Sequence, residues 1–332
     1  MNAKIPTSMS KNLDDSCEAP DDLSEADAQR FAVQLRAALV GASEALHQHD
    51  FRLIRPVATT TWAAGTRGHY HAAPELFVQI SGWTEFSFPG SRCRLEAGQV
   101  LLLPPHLLHA ERVGPDGGEP FSNLVLYVDG ANLSVHLARE RRAGAPGVAY
   151  LESYQGAPSA SVAQWLHEAS DASVLNRGPQ LEPTEAPGVT DAVGQRLEQR
   201  RAASLVVAAL SRTWQLLGPV GGGRSGSSAL VAKTRLWVKN QLGDASLSVQ
   251  GLAQQAGCTP DHLSQRFRQE TGELLIAYIG RLRLERACQL LRHTDLSIKE
   301  VAWACGYNRS GYFIQTFRRA HGTTPQVWRL AK

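Results

Sequence analysis

Two stretches of this chain, 49 residues apart, repeat one layout, and that repeat constrains the fold more than any other feature. In the first, Leu247-Ser248 precedes a short apolar-periodic helix carrying Leu252, Ala253 and Ala256. Gly257 turns the chain, and Thr259-Pro260 opens a second helix that buries Leu263 and Phe267. In the second, Leu296-Ser297 precedes Ile298, Val301, Ala302 and Ala304. Gly306 turns the chain, and the next helix buries Tyr312 or Phe313 together with Phe317. Ser and Thr accept from the unpaired N–H groups of a helix start, and Pro is pre-set for the first turn. Helix, glycine turn and capped helix is the geometry that presents a second helix to a DNA major groove.

Charge follows the same division. Residues 229–332 hold 15 Lys and Arg against 7 Asp and Glu, whereas residues 1–228 hold 19 against 24. A basic tail on an acidic front part points to a polyanion partner for the tail alone. With 332 residues, two domains are the default expectation. The five cysteines, Cys17, Cys93, Cys258, Cys288 and Cys305, form no C-x-x-C pair. They suggest neither a disulfide framework nor a zinc finger. No leader-like segment opens the chain and no apolar run reaches membrane-span length, so a reduced cytoplasm is the expected compartment.

The predicted organisation is multidomain α+β. Residues 1–22 read as a polar tail, and 23–155 as a helix plus a β-rich domain. Residues 156–217 read as a helical connecting or dimerisation region, 218–228 as a Gly/Ser linker, and 229–332 as an all-α domain with two helix-turn-helix units. Ser24 and Asp27 mark a helix start, and Phe31, Leu35 and Leu39 carry its periodicity to about His47. From Phe51 to Val128, short apolar runs alternate with Gly and Pro turns, as in a sandwich or barrel. Residues 176–191 read as an exposed loop. Leu197, Leu205, Val206, Ala209, Leu210, Trp214 and Leu217 mark a long amphipathic helix.

Several runs in the tail carry a resemblance. Arg283-Leu-Glu-Arg-Ala287-Cys-Gln-Leu290-Leu291, Ser297-Ile298-Lys-Glu-Val-Ala302 and Gly306-Tyr307 resemble the AraC/XylS family of transcription regulators. So does the run from Tyr312-Phe313-Ile-Gln-Thr-Phe317-Arg-Arg-Ala-His-Gly322-Thr-Thr-Pro325 to Trp328-Arg329. The resemblance covers roughly Ala229 to Arg329. It implies about seven helices and two recognition helices in adjacent major-groove segments, joined by a long helix near Leu274–Arg292. It implies base-facing positions at Asp261, Ser264 and Gln265, and at Ser310, Gly311, Ile314 and Gln315. Thr259, Arg268, Asn308, Arg309, Arg318 and Arg319 complete the expected DNA-contacting set, chiefly on phosphates. The sequence departs from the family pattern at Gly311, Ile314 and Gln315, which shifts the second unit toward gripping phosphate.

The β-rich segment carries His69-x-His71-x3-Glu75-x6-Gly82, then Gly98-x5-Pro104-x-His106-x2-His109. These resemble the two motifs of the cupin jelly roll, with departures at Ala63, His106 and Val113. The resemblance makes His69, His71, Glu75 and His109 the counterparts of metallo-cupin ligands. Three imidazoles and a carboxylate suit a divalent transition metal. The same side chains would equally line a metal-free pocket for a sugar, an organic acid or an aromatic effector. Trp62, Tyr70, Phe77, Trp83, Phe86 and Phe88 would wall such a pocket or simply form core.

The expected protein is therefore not an enzyme. It is an effector-responsive transcription regulator, an activator by family resemblance, with promoter DNA, RNA polymerase and a second copy of itself as partners. A metal-dependent cupin enzyme with a regulatory DNA-binding tail is the alternative. A constitutive architectural protein fits less well, because the two recognition helices differ in their polar residues.

Overall fold

A computed structural model describes residues 25–47, 53–56, 71, 73–88, 91–105, 107–171, 189–220 and 229–331. The chain begins with helix α1 (Glu25–His47), whose buried stripe is Phe31, Ala32, Leu35, Leu39, Ala42 and Leu46. Nine strands follow: β1 (Leu53–Ile54), β2 (Glu75–Ser81), β3 (Trp83–Phe88), β4 (Ser91–Glu96), β5 (Val100–Leu103), β6 (Ala110–Gly114), β7 (Ser122–Asp129), β8 (Asn132–Arg142) and β9 (Ala145–Gln155). They form two sheets. The larger runs β1-β5-β2-β7-β8-β9 and the smaller β4-β3-β6. The long hairpin of β8 and β9 lies beyond the Phe51–Val128 stretch in which the turn residues indicate strands.

Alternation decides which side chains face which layer. On the outer face of the large sheet, Leu76, Val78, Leu124, Leu126, Leu133, Val135 and Leu137 pack under α1, α2 (Ser159–Ser170) and α3 (Val189–Leu217). Phe77, Leu101, Leu103 and Val125 point the other way and meet Phe86, Phe88 and Leu95 of the small sheet. Strands β2, β5 and β7 are therefore buried on both faces, whereas β3 alternates. Gly82, the last position of the first cupin-like motif, has φ +63°. A Cβ there would fall 2.5 Å from the Gly114 carbonyl oxygen, so the turn into β3 demands glycine.

Of the amphipathic stripe on α3, Val206, Ala209 and Leu210 are fully buried while Leu197 and Trp214 are exposed. The tail is helical throughout: α4 (Ala229–Asn240), α5 (Val249–Gln255), α6 (Pro260–Thr271), α7 (Leu275–His293), α8 (Ile298–Ala304), α9 (Ser310–His321) and α10 (Pro325–Leu330). It holds two apolar clusters. Val231, Val238, Leu252, Leu263 and Phe267 unite the first unit. Leu290, Leu291, Val301, Phe313 and Phe317 unite the second. Helix α7 contributes to both.

Candidate functional site

The two helix-turn-helix units are built as their residues dictate. Ser248 caps α5 by accepting from the Gly251 N–H at 3.1 Å. Thr259 Oγ1 accepts from the His262 N–H at 3.2 Å and Pro260 follows in the first turn of α6. In the second unit Ser297 and Glu300 form a reciprocal capping box, at 3.2 and 2.8 Å. Arg309 occupies the N-cap of α9 without a side-chain cap bond.

With Leu263 and Phe267 inward, α6 exposes Asp261, Gln265 and Arg268 and leaves Ser264 half-buried. With Phe313 and Phe317 inward, α9 exposes Gly311, Gln315, Arg318 and Arg319, and Asn308 and Arg309 stand exposed just before it. Ser310 is half-buried. The choice left open at Tyr312 or Phe313 falls on Phe313, which is fully buried while Tyr312 is 63% exposed. Ile314 packs against the apolar cluster of the second unit rather than lying on the open face.

The front domain brings together three of the four metal-ligand counterparts. His71 precedes β2, Glu75 opens it, and His109 leads into β6. All three are buried, and one ligand atom from each lies within 4.8 Å of the others. His71 Nε2 is 3.3 Å and His109 Nε2 3.7 Å from Glu75 Oε2. The two rings lie 5.6 Å apart. His109 Nδ1 is 3.1 Å from the Leu107 carbonyl. A carbonyl only accepts, so Nδ1 donates to it, which leaves Nε2 facing the Glu75 carboxyl. That arrangement orients a histidine for metal ligation. The donor set, two imidazoles and a carboxylate around one small volume, fits a divalent transition metal. His69 lies outside the described residues.

Sequence reasoning missed four groups inside the sandwich. Glu111 Oε1 stands 3.8 Å from His109 Nε2. Burial pushes its carboxyl up to about 7. Burial, then the neighbouring Glu111, holds the Glu75 carboxyl well above the ordinary carboxylate range. Two buried carboxyls this close favour a cation between them or a shared proton. Tyr127 sits opposite Glu75 in the β2–β7 ladder and meets His71 edge-on, with ring centres 5.5 Å apart. Farther along, Asn123 and His136 are buried, and Asn123 Nδ2, Asn123 Oδ1 and His136 Nδ1 find no partner among the described residues. Phe77, Phe86 and Phe88 belong to the core. Trp83 stacks under the Arg94 guanidinium at 4.4 Å, and Trp62 and Tyr70 lie outside the described residues.

The family model of an AraC-like ligand binding domain matches residues 54–183, and a helix-turn-helix domain model matches residues 252–331. The uncharacterized HTH-type transcriptional regulator YijO of Escherichia coli K12 is 33% identical over 174 residues, 51% of this chain and 61% of that protein. The HTH-type transcriptional activator RhaR of Cronobacter sakazakii is 48% identical over 67 residues, 20% of this chain and 24% of that one. The C-terminal domain of AraT, a response regulator from Geobacillus stearothermophilus, is a solved structure similar to 32% of this chain. It is covered to 87% at 30% identity, with a TM-score of 0.31. The chain thus carries an AraC-like ligand-binding front domain and an AraC-type helix-turn-helix tail. It spans about three fifths of the first of these relatives and a quarter of the second.

Proposed function

We propose that this protein is a sequence-specific transcription regulator that activates promoters when a small effector occupies its front domain. The observation that carries this reading is the pair of capped helices α6 and α9. Each turns a polar face outward on one basic domain, and the two units are linked by α7. Gln265, Asp261, Ser264, Ser310, Gly311 and Gln315 would face base edges. Thr259, Asn308, Arg309, Arg268, Arg318 and Arg319 would hold phosphates. Activation follows the RhaR relatives, whose name is that of an activator, and implies RNA polymerase as a partner. A homodimer working in the cytoplasm on promoter DNA completes the reading. Among the described residues, no helix is long and apolar enough to cross a membrane. The enzyme alternative is set aside, since both matched family models are binding modules and the relatives are named as regulators.

Selection of bound sequences from a random DNA pool tests the reading. We expect one asymmetric motif with two unequal elements roughly one helical turn apart. A pool with no enriched motif overturns it.

The effector site is placed at His71, Glu75 and His109, with Glu111 beside them. A divalent transition metal is favoured over a sugar or aromatic compound by the clustering of one ligand atom from each residue within 4.8 Å. Metal analysis of the purified protein tests this choice. A stoichiometric ion supports it, and saturable binding of an organic inducer to metal-free protein overturns it.

A further inference from the structure

The DNA-binding tail is seated on the front domain at two places, and each lies one contact from the His71–Glu75–His109 cluster. The first is α4. One face of this helix puts Val231 and Val238 into the core of the first helix-turn-helix unit. The other face meets the end of the β7–β8 hairpin. There Arg235 Nη1 donates to Asn132 Oδ1 at 2.6 Å and Lys239 Nζ lies 3.2 Å from Asp129 Oδ2. Lys239 also stands over the Tyr127 ring, 3.7 Å from its centre, with its side chain only 12% exposed. Tyr127 is the residue whose ring edge meets His71 and whose backbone pairs with Glu75. The second place is Leu108. It is the neighbour of His109, is 3% exposed, and belongs to the apolar cluster of Ala287, Leu291, Val301 and Phe313 in the second unit.

From this we infer that the front domain latches both helix-turn-helix units, and that positive charge entering the His71–Glu75–His109 site releases the latch through Tyr127 and Lys239. The inference rests on the effector-site reading given above. The physical argument is electrostatic. A buried ammonium is tolerated only where opposite charge and π-density meet it, here Asp129 and the Tyr127 face. A divalent ion at the histidines adds positive charge beside Tyr127, and low dielectric lets Lys239 feel it. The ion also fixes the His109 ring, and with it the backbone that carries Leu108. Linkage makes the coupling reciprocal: whatever weakens the latch must strengthen ion binding by the same factor.

The experiment uses the full chain. Manganese(II) affinity is measured by competition with a chromophoric chelator, and amide exchange of the α4 peptide, residues 229–240, is followed by mass spectrometry with and without the ion. In the wild type, Mn²⁺ should accelerate α4 exchange severalfold. Lys239→Gln should bind Mn²⁺ about three- to tenfold tighter and show fast α4 exchange already without it. Asp129→Asn, which keeps the lysine charged but removes its partner, should likewise speed α4 exchange without ion. Mn²⁺ binding with unchanged α4 exchange, and with equal affinity in Lys239→Gln, overturns the latch and leaves the site reading standing. No Mn²⁺ binding to the wild type overturns the latch together with the metal reading, and the titration itself tells the two failures apart.

Discussion

Gly306 lies so close to Arg283 that a Cβ on it would fall 2.7 Å from Nη2, with the Leu242 carbonyl oxygen equally near. Its φ of +77° adds a conformational demand. Gly272 has nearly the same φ, +74°, but open space around it. Gly272→Ala should therefore cost only the left-handed penalty, about 1–2 kcal/mol. Gly306→Ala should cost clearly more, roughly 2–4 kcal/mol, because backbone must move as well. Urea denaturation of both variants checks the order, and equal losses would show that the crowding at Gly306 is relieved without cost.

On DNA, Gln265 and Arg318 should behave differently. Both are exposed, but Gln265 lies early in the first recognition helix and Arg318 late in the second. Gln265→Ala should weaken the preferred site by roughly 1–3 kcal/mol and relax preference at about one base pair. Arg318→Ala should weaken all DNA alike and flatten the dependence of log K on log salt by about one unit. Binding isotherms on specific and random duplexes at several salt concentrations decide the matter. Identical losses on both duplexes for Gln265→Ala would remove it from base readout.

The histidine cluster should govern response rather than DNA affinity. A His71→Ala, His109→Ala double variant that melts as the wild type does should still bind the selected site but lose its ligand response on a reporter promoter. A variant with unchanged sensitivity would move the effector site elsewhere.

Acid should act through His136. Burial holds its imidazole down at about 4, below the 6.5 of an exposed ring. Between those values the unfolded chain binds the proton that the native state refuses. The stabilising contribution is thus complete above about pH 6.5 and fades as pH falls toward 4, by up to ~3 kcal/mol. The raised carboxyls of Glu75 and Glu111 work in the opposite direction, so the informative quantity is the difference between wild type and His136→Phe across pH 4–7. A difference that does not vary with pH would contradict the assignment.

The tail was legible because its signals are local. Thr259-Pro260, Ser297 with Glu300, and the glycines at 257 and 306 each act within a few residues, and the structure uses every one of them. The front domain yielded its motif residues but not their company. In Ser122–Asp129 seven of the eight residues are buried, so no alternation marks Asn123 and Tyr127 as inward-facing. His136 was within reach, since Leu133, Val135 and Leu137 alternate with it in β8. Glu111 was also within reach, two residues past His109 on the same strand face, whereas Lys239 could be recognised only once α4 was seated on Asp129 and Tyr127. Contacts between residues more than a hundred positions apart leave no periodic trace in a single sequence.

Helix α7 is one unbroken element of 19 residues, with Leu275, Ile279 and Leu282 serving the first unit and Leu290 and Leu291 the second. At 1.5 Å per residue it is a strut of roughly 28 Å. A strut does not stretch. The operator must therefore match it in length, and evolution of the target promoters is free in letters but not in spacing. Substituting bases within either element trades affinity gradually. Inserting one base pair between the elements turns one half of the site by about a tenth of a revolution away from a reader that cannot follow.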